Sequence, residues 1–434
     1  MRVLLLTHVF PRAADDPLGA FLLHLTQQLA NENVSASNPR SENLPERVAA
    51  APTPGMGERV QVHVLAPHAP SLSDRERFGA VQVTRFHYAP DAQETLAYTG
   101  VMHERVARGI GGKIAFARFV WHYFRAAREA AKAFQPDVIH AHWWLPGGLV
   151  GALASRVLRV PLALTTHGTD VEQLRRARWA KPLARFVFRQ ARVVTCGSHY
   201  LRERLMELDA ADAARVQVIP MPVNPLFTER DWRLEIRGAR GENRNSKSEI
   251  RNSKFKILAV ARLTKQKSMD TLIEALRILR GRGVDAQLQI VGDGDQRVFL
   301  EHKAREWQLD AFAQFAGMRT QNELPELYAQ CDAFVLPSLR EGMGLVLAEA
   351  LLCGAPVIAT DSGGVTDIVR DGETGLLFPE RDANALADAL EKYARDSHYA
   401  TRLAQNGRAW VMGRFTPQRV AAQFLQAYEL AVHA

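Results

Sequence analysis

A chain of 434 residues exceeds what one hydrophobic core serves, so two or three domains are expected. Its 47% apolar and 24% charged residues are ordinary for a globular protein. The three cysteines (Cys196, Cys331, Cys353) form no CxxC pair, which argues against a disulfide framework or zinc finger and suits a reducing cytosol. No apolar run reaches the roughly 20 residues of a membrane span. The net charge of +8 is uneven: residues 1–225 carry 27 Lys and Arg against 19 Asp and Glu, whereas 257–434 carry 19 against 23. An anionic partner on the front half follows, as a phospholipid face or a phosphorylated acceptor.

In chain order, Met1-Arg-Val-Leu-Leu-Leu6 reads as a first buried strand rather than a leader, since its apolar run stops at Thr7 and His8. Further strands are expected at 60–66, 81–87, 137–141, 161–166, 192–196 and 216–219, with helices at 18–30, 113–134, 146–158 and 198–208. In the back half, strands at 257–261, 286–291, 312–316, 332–337, 356–360 and 374–378 alternate with helices at 268–281, 296–307, 322–330, 344–353 and 384–395. This alternation signals doubly wound parallel sheets and an α/β class. The expected division is a front domain over 1–225, a linker over 226–256, a back domain over 257–410 and a terminal segment over 411–434. Two polar stretches, 31–59 and 241–254, the second holding a repeated Arg-Asn-Ser-Lys, read as surface insertions.

The most informative segment is Glu341-Gly-Met-Gly-Leu-Val-Leu-Ala-Glu349. A buried strand ending at Pro337 precedes it, and a helix ending at Gly354 follows it. A glycine turn opening a helix leaves backbone N–H groups free for an anion, and two carboxylates suit sugar hydroxyls. Arg262 and Lys267 follow the first back-half strand, where ligands of doubly wound sheets sit, and can neutralise a diphosphate. Asp293-Gly-Asp295 spells a DxD metal-binding pattern, yet lies in a tight strand-to-helix turn where Asp295 suits an N-cap. His140-Ala-His142 invites a metal reading that lacks a third ligand. The basic, aromatic segment 175–192 has two readings, a membrane-surface helix with Trp179, Phe186 and Phe188 toward lipid, or a domain helix with solvated arginines.

Arg262…Lys267 with Glu341…Glu349 resembles the retaining GT-B glycosyltransferases of family four. The likeness continues through Ala355-Pro-Val-Ile-Ala-Thr-Asp-Ser-Gly-Gly364 and Asp371-Gly-Glu-Thr-Gly-Leu-Leu-Phe378 and covers 257–410. The resemblance implies two Rossmann-like domains facing a cleft, with the terminal segment 411–434 a helix that crosses back to the front domain. It implies that Arg262 and Lys267 hold the donor diphosphate, Glu341 the sugar hydroxyls and Glu349 the ribose. Backbone at Gly344 and Leu345 meets the donor, and Phe315-Ala-Gly-Met318 cradles the base. Met343 stands where Phe is usual, a change bearing on the sugar pocket; Ser268 stands where Gly is common. In the front half, Gly19 matches a glycine loop facing the phosphates. His140, His142 and Trp143 match an acceptor-side loop. Thr169 and Asp170 follow His167, which matches the histidine beside the reacting sugar.

The expected activity is transfer of a sugar with retention from a UDP-, GDP- or ADP-sugar to a glycan, lipid-linked or small-molecule hydroxyl, in envelope polysaccharide or glycolipid synthesis. Arg262, Lys267, Glu341 and His167 carry it, with no metal and no cofactor. The setting is the cytoplasm, with peripheral contact at the inner membrane face. The competing readings are a silent donor-binding protein, a sugar epimerase of the same architecture, and a nucleic-acid binder suggested by the pI of about 9.5. The last lacks an aromatic-and-basic motif, so no nucleic acid is expected as a partner.

Overall fold

The computed structural model describes residues 1–16, 18–32, 59–98, 102–107, 109–233, 235 and 254–433. The expected insertions at 31–59 and 241–254 fall almost wholly outside them. Two sheets organise the chain. The front sheet has eight strands: β1 (Arg2–Leu6), β2 (Gln61–Pro67), β3 (Arg75–Phe78), β4 (Val81–Phe86), β5 (Val138–His142), β6 (Leu162–Thr166), β7 (Ala191–Cys196) and β8 (Val216–Val218). Their order is β3-β4-β2-β1-β5-β6-β7-β8. The back sheet has six: β9 (Phe255–Val260), β10 (Ala286–Val291), β11 (Ala313–Gly317), β12 (Ala333–Leu336), β13 (Val357–Thr360) and β14 (Leu376–Phe378). They run β11-β10-β9-β12-β13-β14.

All pairings are parallel except β3 with β4. Parallel strands covered on both faces carry continuous apolar runs, and Val3–Leu6 and Ala333–Leu336 are fully buried. The expected strands match within a few residues. The addition is β3: Arg75-Glu-Arg-Phe78 has no apolar run and exists because β4 offers it a free edge. Extra helices are Met102–Ala107, Gly168–Arg176 and Ser397–Met412, and Lys181–Gln190 realises part of the helix expected over 175–192.

The last helix, Pro417–His433, leaves the back sheet and packs Val420, Ala421, Phe424, Ala427 and Tyr428 among Val3, Leu5, Leu22 and Val193 of the front core. One polar contact secures it: the Tyr428 hydroxyl lies 2.7 Å from His140 Nδ1. Tyr428→Phe leaves that buried ring nitrogen without a partner. It is expected to lower stability by about 1–2 kcal/mol in urea unfolding; an unchanged midpoint would refute the role.

Candidate active site

In parallel strands the carboxyl ends lie on one edge, so the loops after β9 and β12, which are neighbours, emerge together. They are joined by the Leu339 N–H donating to the Gln266 carbonyl at 2.8 Å and the Gln266 side-chain amide donating to the Arg340 carbonyl at 3.4 Å. This delivers Lys267 onto Glu341, whose Oε2 accepts from the lysine ammonium. Burial pushes the Glu341 carboxyl up, but Lys267 foremost, with the Ser338 hydroxyl and the Gly342 amide, holds it below the usual range. Glu341 is therefore an ionised carboxylate in a largely enclosed place. Arg262 is exposed and its guanidinium makes no hydrogen bond or ion pair with the described residues.

The loop is braced from behind. Gly364 N–H donates to the Glu341 carbonyl at 2.7 Å. Gly363 sits at φ 69°, and a Cβ there would lie 2.2 Å from that same oxygen. The Ser-Gly-Gly ending of the 355–364 motif thus serves the loop's shape: Ser362 Oγ accepts from Arg340 N–H at 2.9 Å. Next, Gly344 adopts the left-handed conformation at φ 82° and starts the helix Leu345–Leu352 with no side-chain cap, which leaves the first amides unclaimed by a side chain. Glu349, within this helix, faces inward and accepts from the Tyr328 hydroxyl at 3.2 Å. Its burial raises the carboxyl to about 7, against the pull of that bond. The two glutamates thus have opposite protonation tendencies.

Across the cleft, Gly19 at φ 81° opens the helix Ala20–Asn31 without a side-chain cap, and Phe21 follows it. The Phe21 and Trp143 rings lie 5.5 and 4.2 Å from the His167 ring. His167 Nε2 is 3.2 Å from His142 Nδ1. Burial lowers the His167 imidazole to about 3 and takes His142 well below the ordinary range. Neutral rings of this kind position or polarise a substrate; they do not supply a proton at neutral pH. His8, unassigned by the sequence reading, belongs to the same group, with its ring 4.6 Å from Trp143 and its own basicity lowered by burial to about 4. Its place at the carboxyl end of β1 was the available signal.

Two acceptor-side expectations are corrected. His140 is fully buried, with Nε2 2.7 Å from the Thr165 hydroxyl and Nδ1 on Tyr428, so it belongs to the core. Asp170 accepts from the Trp144, His167 and Val171 amides at 2.8–2.9 Å and shapes the loop. Trp143 and Thr169 remain near the surface, joined by the indole N–H at 3.3 Å from Thr169 Oγ1.

Met343 is also corrected. Its sulfur accepts from the Met221 N–H at 3.5 Å and would touch a Cβ on Gly197 at 3.2 Å, so the side chain enters the front domain. It is one of several contacts across the cleft. The Ser198 hydroxyl donates to the Gly342 carbonyl at 2.6 Å, and His199 N–H donates to Asp367 at 2.8 Å. A Cβ on Gly168 would lie 3.2 Å from the Gly342 Cα. Ser268 is no backbone cap: it sits at φ 46°, where glycine is unstrained, and its hydroxyl meets Thr271 Oγ1 at 3.0 Å. Phe315, half-buried, packs on the back core, and Met318 is exposed past the end of β11.

Asp295 does not cap the following helix. Asp293 accepts from Gly294 N–H at 2.7 Å and from Arg297 at 3.1 Å, a turn-stabilising role. The basic segment 175–192 is broken: Gly168–Arg176 ends before the turn Arg178–Ala180, and Lys181–Gln190 follows. Phe188 is core, Phe186 packs against it, and only Trp179 of the three aromatics projects to solvent. Arg175 and Arg176 pair with Glu172. A membrane-facing apolar stripe is therefore not formed there. None of the helices among the described residues is long and apolar enough to cross a membrane.

Comparison with known proteins accords with this geometry. Residues 46–226 match the family described as Glycosyltransferase Family 4, and residues 241–410 the family described as Glycosyl transferases group 1. A glycogen synthase of Mycobacterium tuberculosis is 30% identical over 306 residues, 68% of this chain and 69% of that one. A GDP-mannose-dependent alpha-(1-6)-phosphatidylinositol monomannoside mannosyltransferase of Mycolicibacterium smegmatis is 30% identical over 280 residues, 62% and 69% of the two chains. The crystal structure of Anabaena HepE with UDP and glucose superposes at a TM-score of 0.68 with 20% identity over 99% of both chains. The GT-B architecture is thereby shown.

Proposed function

We propose retaining, metal-independent sugar transfer for this chain, which belongs to the glycosyltransferases matched by the Glycosyltransferase Family 4 description in its front half and by the Glycosyl transferases group 1 description in its back half. The donor is a UDP-, GDP- or ADP-sugar lying against the back-sheet loops, and the acceptor hydroxyl enters from the front domain. Arg262 and Lys267 offset the charge growing on the departing diphosphate, the point at which preorganised charge counts most. Glu341 orients the sugar hydroxyls, the amides around Gly344 and Leu345 face the donor, and Glu349 takes the ribose. His167 stabilises the reacting sugar. The neutral imidazoles opposite suit front-face attack, with the leaving phosphate accepting the acceptor's proton.

The observation that carries this reading is the ionised Glu341 held by Lys267 beside an uncapped helix start, directly against the His167–Gly168 segment. The setting we favour is synthesis of an envelope polysaccharide or glycolipid on the cytoplasmic side; the named acceptor of the mycobacterial mannosyltransferase is a lipid of that kind.

Thermal melting against a panel of UDP-, GDP- and ADP-sugars at millimolar concentration tests the reading. One donor is expected to raise Tm by an amount corresponding to about 2.7 kcal/mol at a hundredfold excess over Kd. Glu341→Gln should lose most of that shift. Flat melting with every donor would overturn the reading. NMR of the product anomer, with the matched donor, tests retention.

A further inference from the structure

At the outer edge of the front sheet, His68 follows the end of β2 and His87 the end of β4. A turn, Asp91–Gln93, then brings Asp91 and Glu94 beneath them. One ligand-competent atom from each of the four lies within 4.8 Å of every other, which is unique to this cluster among the described residues. His87 Nδ1 is 3.4 Å from Glu94 Oε1 and 3.6 Å from Asp91 Oδ1, and His68 Nδ1 is 2.6 Å from Glu94 Oε2. Ligand atoms around tetrahedral zinc stand about 3.3 Å apart. With Glu94 Oε1 as the ligand both His87 spacings already fit, and His68 has to turn its Nδ1 from the other Glu94 oxygen, Oε2, onto the ion.

The orientation of the two imidazoles is more telling. Both turn Nδ1 inward, and both tie Nε2 to an outer oxygen: His68 to the Leu72 carbonyl at 2.9 Å, His87 to Asp74 Oδ1 at 3.0 Å. An outer acceptor on the far nitrogen holds each ring with its inner nitrogen toward the cluster, the usual support of a metal-bound histidine, so that His68 can ligate once its inner proton is displaced. Glu94 is likewise steadied by the Tyr88 N–H at 3.0 Å. His68 and Glu94 are buried while His87 and Asp91 face solvent, so a rigid half and an open entrance coexist.

We propose that His68, His87, Asp91 and Glu94 form a binding site for one divalent transition-metal ion, zinc in the first instance, that fastens the 91–94 turn to the sheet edge. Two imidazoles and two carboxylates are a zinc-type donor set, and one too rich in nitrogen for magnesium or calcium. The ion displaces the proton held between His68 and Glu94, so binding releases protons to the buffer. The site shares no residue with the Lys267–Glu341 pocket, and its measurement does not depend on transferase activity.

The test is calorimetric titration of tag-free, EDTA-treated, dialysed full-length protein with zinc chloride, with magnesium chloride as the control. One zinc per chain at micromolar Kd or tighter is expected, together with a rise in Tm absent with magnesium. His87→Ala and Asp91→Ala change exposed side chains that leave the core intact, and each should weaken binding at least tenfold. Absence of one-to-one binding overturns the proposal. So does unchanged binding in the double variant H87A/D91A, which would assign the zinc to other histidines.

Discussion

Lys267→Ala is expected to lower the rate of nucleoside diphosphate release by about 10²–10³-fold with the matched donor, the usual cost of removing one preorganised charge from a transfer site. It also alters the folded protein before substrate arrives. Lys267 is the largest influence holding Glu341 ionised against burial. Without it, an enclosed carboxylate must stay unpaired or take up a proton. Both partners keep some exposure, 21% and 15% at the side chain, so the stability loss should be about 2–3 kcal/mol rather than the larger cost of a fully buried pair. The sign with pH follows. Glu341 sits below its unfolded value in the wild type, so its contribution is present above that value and fades only in acid. In K267A the same loss appears at pH 7. Adding Glu341→Gln to Lys267→Ala removes the stranded charge and should restore most of the stability while turnover stays low. Initial rates and urea midpoints of both single variants and the double decide the matter. Stability losses that simply add would mean the two side chains are not coupled.

Much of this site was readable because its parts are local. The strand ending at Pro337, the glycine at 344 and the apolar helix after it are neighbours in sequence, and each follows from backbone chemistry. Lys267 on Glu341 could be anticipated since both loops leave the carboxyl edge of one parallel sheet. What failed depended on partners far along the chain. His140 looked like a cleft residue until Tyr428, 288 positions away, occupied its ring nitrogen. Met343 looked like a pocket residue, but the front domain's Met221 and Gly197 claim it. Asp170 looked available, but the Trp144 amide, 26 positions away in the loop after β5, claims it together with the His167 and Val171 amides of its own loop. The strand Arg75–Phe78 has no hydrophobic signature, because an edge strand can rest on its neighbour's hydrogen bonds. The His68–Glu94 cluster was invisible for a similar reason: β2 and β4 are separated by β3 in sequence yet paired in the sheet.

Glu349→Gln is expected to gain stability over the wild type as pH rises, by about 2.5 kcal/mol between pH 5 and pH 8. Burial lifts the Glu349 carboxyl to about 7 from an unfolded value of 4.5. The folded state therefore holds a proton that the unfolded chain has released across this interval. That contribution is complete below the unfolded value and is lost as pH climbs through about 7. Glutamine does not titrate, keeps an oxygen for the Tyr328 hydroxyl, and escapes the loss. Asp170 is raised by burial in the same direction, but it is common to both proteins and cancels in the difference. Urea unfolding of the pair at several pH values would show it; parallel curves would refute the shift. The same titration bears on the donor. Ribose hydroxyls donate to a carboxylate, so a donor engaging Glu349 selects its ionised form and pulls the proton off. Donor affinity in the wild type should then rise from pH 6 to pH 8, while in E349Q it should be weaker and flat. Glu341, already ionised by Lys267, adds no slope in that range. An equal slope in both proteins would place the ribose elsewhere.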